Sequence, residues 1–238
     1  MFLLHRAILH ATRNNKCQST LLTHSRGEEG LELHTAVATS FDRKGSFSLS
    51  STYFSASKRS LAVIYACDLD QVLRVTELLR MSPEVASHPL LLTGVFAELQ
   101  LKRMQELVGE VQTSGDANVE LFKMDPPPKP LTMWELNGSL VKGVLEAREA
   151  EEELRATRAH LKEMADRIDE QEKTWKSWTT GGQTSDFEDR SFTAATDRFK
   201  CRFRDIDIEI DGLIAQCRVA AEQQKYTGEL VSPGAILI

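Results

Sequence analysis

A seven-residue recurrence constrains this chain more than any other feature. Leu140, Ala147, Leu154, Leu161, Ile168 and Trp175 follow one another at equal spacing without a break. That spacing returns an apolar side chain to the same side of a helix every two turns, so the segment reads as one long helix with an apolar seam. The companion positions are mixed: Val144 and Ala165 are apolar, whereas Glu151, Arg158 and Glu172 are charged. One apolar and one charged seam predict a helix packed along one side rather than a symmetric two-stranded zipper. From Leu131 to Trp178 it would extend ~70 Å. Glu149, Glu151, Glu152 and Glu153 stand at helical spacing from Arg155 and Arg158 and read as a solvated face. Thr179-Thr180-Gly181-Gly182-Gln183 interrupts the pattern. Beyond it, Phe192, Thr196, Phe199, Phe203, Ile206, Ile210, Leu213, Cys217 and Ala220 alternate steps of four and three, which again holds them on one face. Two long helices joined by a short Gly-containing loop predict an antiparallel helical hairpin over residues 131–226, followed by a tail at 227–238.

Upstream the period changes. Leu31, Leu33, Thr35 and Val37 alternate with Glu32, His34 and Ala36, and Phe47, Leu49, Ser51 and Tyr53 alternate with Ser48, Ser50 and Thr52. A period of two marks half-buried strands. With the apolar run Leu61 to Ala66 and the turn-prone residues Ser55 to Arg59 between, the second and third runs read as a hairpin. The Ser-rich stretch also suits a flexible, phosphorylatable linker, but Tyr53 and Phe54 argue against full disorder. Asp68 stands at an N-cap position, with Leu69, Val72, Leu73, Thr76 and Leu79 at helical spacing behind it. Ser82-Pro83-Glu84 restarts a helical pattern, and His88-Pro89 sets the start of another. On that last helix Leu92, Phe96, Leu99, Arg103 and Leu107 form one face, broadened by Val95 and Val108. The fold class expected is therefore α+β, mainly α: a small head of hairpin and helix at 31–111, then the helical hairpin.

Between head and hairpin, Gln112 to Asn118 is polar and contains Gly115, and Pro126-Pro127-Pro128 with Pro130 favours an extended spacer. Residues 112–130 read as a linker, with a ligand for a proline-binding module as the functional alternative. Residues 1–30 read as a flexible basic segment. The first 27 residues hold Arg6, Arg13, Lys16 and Arg26 and no acid, so the remainder carries 25 basic and 35 acidic residues, a charge of -10. An acid-poor, Arg-containing, hydroxyl-rich start resembles a mitochondrial presequence. His5 and Arg6 interrupt the apolar region that a secretory signal needs.

Charge and composition exclude several functions. A net charge of -6 and a pI of about 5.6 lack the basic excess of a nucleic-acid binder. No apolar run approaches the ~18 to 20 residues of a membrane span. Cys17, Cys67, Cys201 and Cys217 are too scattered for a zinc site or redox pair, and read as reduced thiols of an intracellular protein. The expected location is cytoplasmic, with the mitochondrion as the alternative. His5, His10, His24 and His34 share no ligand spacing, and His88 has no partner at fixed spacing, so it reads as a packing or hydrogen-bonding residue. The acid pairs Asp205/Glu209 and Asp207/Asp211 fall four residues apart on a helix and are the one place where Mg²⁺ or Ca²⁺ could be recruited; a wet acidic surface is their ordinary reading. No catalytic, cofactor-binding or metal residue is assigned, no cofactor is expected beyond that Mg²⁺, and the chain reads as no enzyme.

HPLLLTGVFAELQLKR from His88 to Arg103, followed by the helix from Phe199 to Cys217, resembles the CorA-like proteins of fungi, relatives of the magnesium channels. The pattern can be placed on roughly residues 45 to 225. The resemblance implies an α/β head and long stalk helices ahead of two membrane helices. The Gly-Met-Asn triplet of the family's pore entrance is missing and no apolar segment follows Tyr226, so no pore or selectivity residue carries over. The functional expectation is a soluble CorA-like head and stalk, as from a truncated gene, that oligomerises or pairs with related CorA-like chains, with divalent cations sensed at its acidic edges. The alternative is a coiled-coil adaptor unrelated to ion transport. The bundle contacts expected are Leu140, Leu154, Leu161 and Ile168 against Phe199, Phe203, Ile206 and Ile210.

Overall fold

The computed structural model describes residues 19–27, 30–38, 46–81, 88–123, 133–179 and 186–231. In these, four strands precede four helices: β1 (Ser19–Gly27), β2 (Gly30–Ala38), β3 (Ser48–Phe54), β4 (Arg59–Tyr65), α1 (Leu69–Met81), α2 (Leu91–Lys123), α3 (Met133–Thr179) and α4 (Asp186–Val231). The fold is α+β and mainly α, as the sequence predicts. None of the described helices is long and apolar enough to cross a membrane. The predicted helix restart at 82–84, the proline run at 126–130, the break at 180–183 and the last seven residues lie outside the described residues, as does Cys17.

The chain divides into two compact units, Met1–Gln100 with Ala159–Asp207, and Leu101–Arg158 with Ile208–Ile238. The first holds the sheet. Its strands run in the order β1-β2-β3-β4, each antiparallel to its neighbour. Leu33 pairs with Tyr53, Thr35 with Ser51 and Val37 with Leu49, and all six side chains are buried on one face. The alternate residues His34, Ser50 and Thr52 are half-exposed, with His34 Nδ1 3.1 Å from Thr52 Oγ1. Two-residue periodicity thus separates core from surface in the middle of the pair, while Ala36 and Ser48 of the alternate set are buried as well. Phe47, fully buried, meets Phe96 of α2 with ring centroids 5.1 Å apart, and Phe96 meets His160 of α3 edge-on at 6.2 Å. The strand β1 falls inside the stretch read from sequence as a flexible N-terminal segment. Its Leu-Leu-Thr-His run lacks alternation, so only pairing with β2 reveals it.

In the second unit, three helical stretches close on one another. Leu101, Met104, Val108 and Val111 of α2, Leu140, Ala147, Ala150 and Leu154 of α3, and Ile210, Leu213, Ile214 and Cys217 of α4 are buried. Asn118 Nδ2 donates to the Ser139 carbonyl at 3.5 Å, and Arg103 pairs with Glu153, so α2 and α3 run antiparallel. Gln105 reaches Glu209 and Gln112 reaches Gln216, both across 104 residues of sequence, so α2 and α4 run parallel.

In the second unit the predicted antiparallel pair is joined by a third helix. The bundle has three helices, because α2 does not stop at Val111 but continues to Lys123 through the stretch read as a linker. Gly115, read as a breaker, sits where two helices approach closely: a Cβ there would lie 2.9 Å from Gln224 Nε2. Met104, Val108, Val111, Gly115 and Asn118, with steps of four and three, are the buried stripe. The charged seam of α3 also acquires a partner in α4. In the first unit Lys200 meets both Asp169 and Glu172, and in the second Arg218 meets Glu151 and Arg158 meets Asp211.

Two helical glycines should respond oppositely to alanine. Gly109 has open space beyond its Cα, so Gly109→Ala should stabilise by up to ~1 kcal/mol through helix propensity. At Gly143 a Cβ would overlap the enclosed amide of Gln224, and Gly143→Ala should cost about 1–3 kcal/mol by overpacking. Denaturant unfolding of the two variants checks the difference in sign.

Candidate functional site

His88 lies at the start of α2 and is buried. The Leu90 N–H donates to its Nδ1 at 3.1 Å and the Leu91 N–H to its carbonyl at 3.1 Å, so His88 caps the helix twice. With Nδ1 accepting, the ring proton sits on Nε2, which donates to Thr196 Oγ1 at 3.2 Å; Thr196 in turn donates to the Phe192 carbonyl at 3.0 Å. The ring stacks on Phe192 at 4.5 Å and tilts against Phe199 at 5.1 Å. Burial disfavours the imidazolium and lowers its pKa to about 4, against a smaller opposing effect of the hydrogen bond to the Phe192 backbone. His88 is thus a packed, neutral, hydrogen-bonding residue.

One acid of each pair is drawn into the bundle contacts. Asp211 accepts from Arg158 and Glu209 from Gln105. No three His, Cys, Asp or Glu side chains gather as a metal site among the described residues. Cys67, Cys201 and Cys217 are free thiols, and burial followed by the Glu151 charge pushes Cys217 up to about 11, which keeps it protonated.

Two buried polar arrangements escape sequence reading. Arg103 and Glu153, with side chains 7% and 11% exposed, form an ion pair in the second unit. Gln224 is 1% exposed, and neither of its amide atoms has a hydrogen-bond partner among the described residues. Its side chain fits between Gly115 and Gly143, beside a groove of about 440 Å³ lined by Gln112, Asp116, Val119, Gln216 and Val219. Only the two glycines at helix-interior positions hint at it.

The largest uncovered apolar surface belongs to α1. Asp68 caps it as expected: its carboxylate accepts from the Gln71 N–H at 2.8 Å, and the Gln71 side chain accepts from the Asp68 N–H at 3.1 Å, a reciprocal box. The helix forms as its spacing predicts, and the regular stripe is the face turned to water. Gln71, Val75 and Leu78 are the half-buried residues, and the stripe Leu69, Val72, Leu73, Thr76 and Leu79 is exposed, with Leu69 at 73% and Leu73 at 60%. No residue of the helix is buried. Val75 and Leu78 are themselves apolar, so two faces competed for the interior and periodicity alone could not rank them.

No known protein family, curated protein or solved structure matches the chain.

Two outcomes follow from the buried groups. Between pH 6.5 and 4 the unfolded chain binds a proton at His88 that the folded chain does not, so stability falls with acidification in that window, by up to about 3 kcal/mol, and is unaffected by His88 above it. Urea unfolding against pH should show this slope, and His88→Gln should remove it. Glu153→Ala should cost about 3–5 kcal/mol by stranding Arg103, whereas Arg103→Met with Glu153→Leu should recover most of that loss in the same unfolding measurement.

Proposed function

We propose that this chain is a non-enzymatic assembly protein, a CorA-like head and stalk that works by contact with other protein chains and has no pore of its own. The exposed apolar stripe of α1 carries the reading. An amphipathic helix that turns Leu69, Val72 and Leu73 to water is held ready for a protein partner. The seams that sequence marks for association, Leu140, Leu154, Leu161 and Ile168 with Phe203, Ile206 and Ile210, are buried within the chain and fill its own core. A partner therefore meets other surfaces. The CorA-like component rests on the resemblance of 88–103 and 199–217, and its divalent-cation sensing on the acids from Asp205 to Asp211.

A coiled-coil adaptor is the second reading. It is favoured by Ile208, Val219 and Tyr226, exposed on α4 at spacings of eleven and seven residues, where a foreign helix could lie. The solution mass of the full chain, in ~10 mM Mg²⁺ and in chelator, separates the two. The CorA-like reading expects a multiple of 26.7 kDa that changes with Mg²⁺. A multiple that ignores Mg²⁺ leaves the adaptor, and a chain monomeric in both, alone and with a CorA-like protein bearing pore helices, removes the CorA-like reading.

A further inference from the structure

The occupant of the α1 stripe can be specified more closely, on the assumption that the chain is an assembly protein. We infer that α1 pairs with α1 of a second copy, antiparallel, about a twofold axis. The first ground is area. Leu69, Val72, Leu73 and Leu79 are between 38% and 73% exposed and lie on one side of the helix. Together they expose a few hundred Å² of largely apolar surface, part of the ~800 Å² per partner in a standard interface. A twofold axis uses the same patch on both chains, so each uncovered stripe covers the other.

The second ground is charge. Asp70 stands in the first turn and Arg80 in the last, at opposite ends of the helix. They are ~15 Å apart along the axis. Antiparallel packing sets Asp70 of each copy beside Arg80 of the other and opposes the helix dipoles; parallel packing sets like charge against like. Arg74 and Glu77, in contrast, satisfy each other within the helix at 2.6 Å. Thr76, near the middle of the stripe, bonds its hydroxyl to the Val72 carbonyl at 2.9 Å, so it can be covered without leaving a donor unpaired.

The test is the solution mass of the full chain and four variants, with helix content followed by circular dichroism. The wild type should be a dimer. Leu73→Asp places two carboxylates in the apolar contact and should weaken it at least ~100-fold, giving a monomer of unchanged helix content whose melting temperature, unlike that of the wild type, does not rise with protein concentration, because Leu73 is uncovered in the single chain. Asp70→Lys and Arg80→Glu should each weaken dimerisation about tenfold by setting like charges together, and the double variant should restore it. Failure of the double variant to recover overturns the antiparallel arrangement. An oligomer that survives Leu73→Asp overturns the α1 interface but leaves an assembly protein. A wild-type monomer overturns the inference and self-assembly together. So does a Leu73→Asp chain that loses helix content, since the stripe is then covered by the chain's own residues.

Discussion

Three helices each carry an apolar seam too wide to hide against a single neighbour, and this sets the rest of the structure. The seam of α3 repeats every seven residues while that of α4 advances by alternate fours and threes, so each turns one narrow stripe inward. The buried face of α2, with Leu92, Val95, Phe96 and Leu99 in one unit and Met104, Val108 and Val111 in the other, supplies the missing wall. Burial of a side chain of this kind is worth about 1.5–3 kcal/mol. The summed gain over three stripes sets helix register before any polar contact is considered. In the second unit, Arg103–Glu153 and Glu151–Arg218 then sit where the seams leave room for charge at the edges.

Much of this is visible in the residues. The strands β2, β3 and β4, the cap of α1 at Asp68, the start of α2 behind His88-Pro89 and both long helices follow from periodicity and capping alone, because those rules act over a few residues. The misses share a different cause. Gly115 reads as part of a linker until Gln224, about a hundred residues further along the chain, is seen to need its space and that of Gly143. Glu151, Arg158 and Glu172 look like a spoiled seam until Arg218, Asp211 and Lys200 are placed across from them. In α1, Val72 and Val75 sit on different faces with nearly equal claims on the interior. Each case turns on a partner distant in sequence, which a local pattern cannot name.

The exposed face of α1 was legible as an amphipathic helix and illegible as a surface. Leu69, Val72, Leu73 and Leu79 carry the spacing of a core face, and the same spacing serves an interface. What separates the two is whether the chain itself covers the stripe, and that is decided by Gln71, Val75 and Leu78 facing inward instead. His88 shows the converse. Its chemistry invites a functional role, but a ring fixed by Leu90, Thr196, Phe192 and Phe199 has both nitrogens committed, Nδ1 to the helix start and Nε2 to Thr196.

The parallel relation of α2 to α4 has a consequence for how the protein is made. Gln105 waits for Glu209, and Gln112 for Gln216, each 104 residues downstream. At ~5–20 residues per second on a ribosome, α2 waits roughly 5–20 s for its α4 partners, and the pair it makes with α3 keeps an open flank until α4 emerges. During that interval the nascent chain displays Met104, Val108, Leu140 and Leu154 as a sticky two-helix surface. Cotranslational chaperoning, rather than thermodynamic stability, would then decide how much of the product reaches its native state.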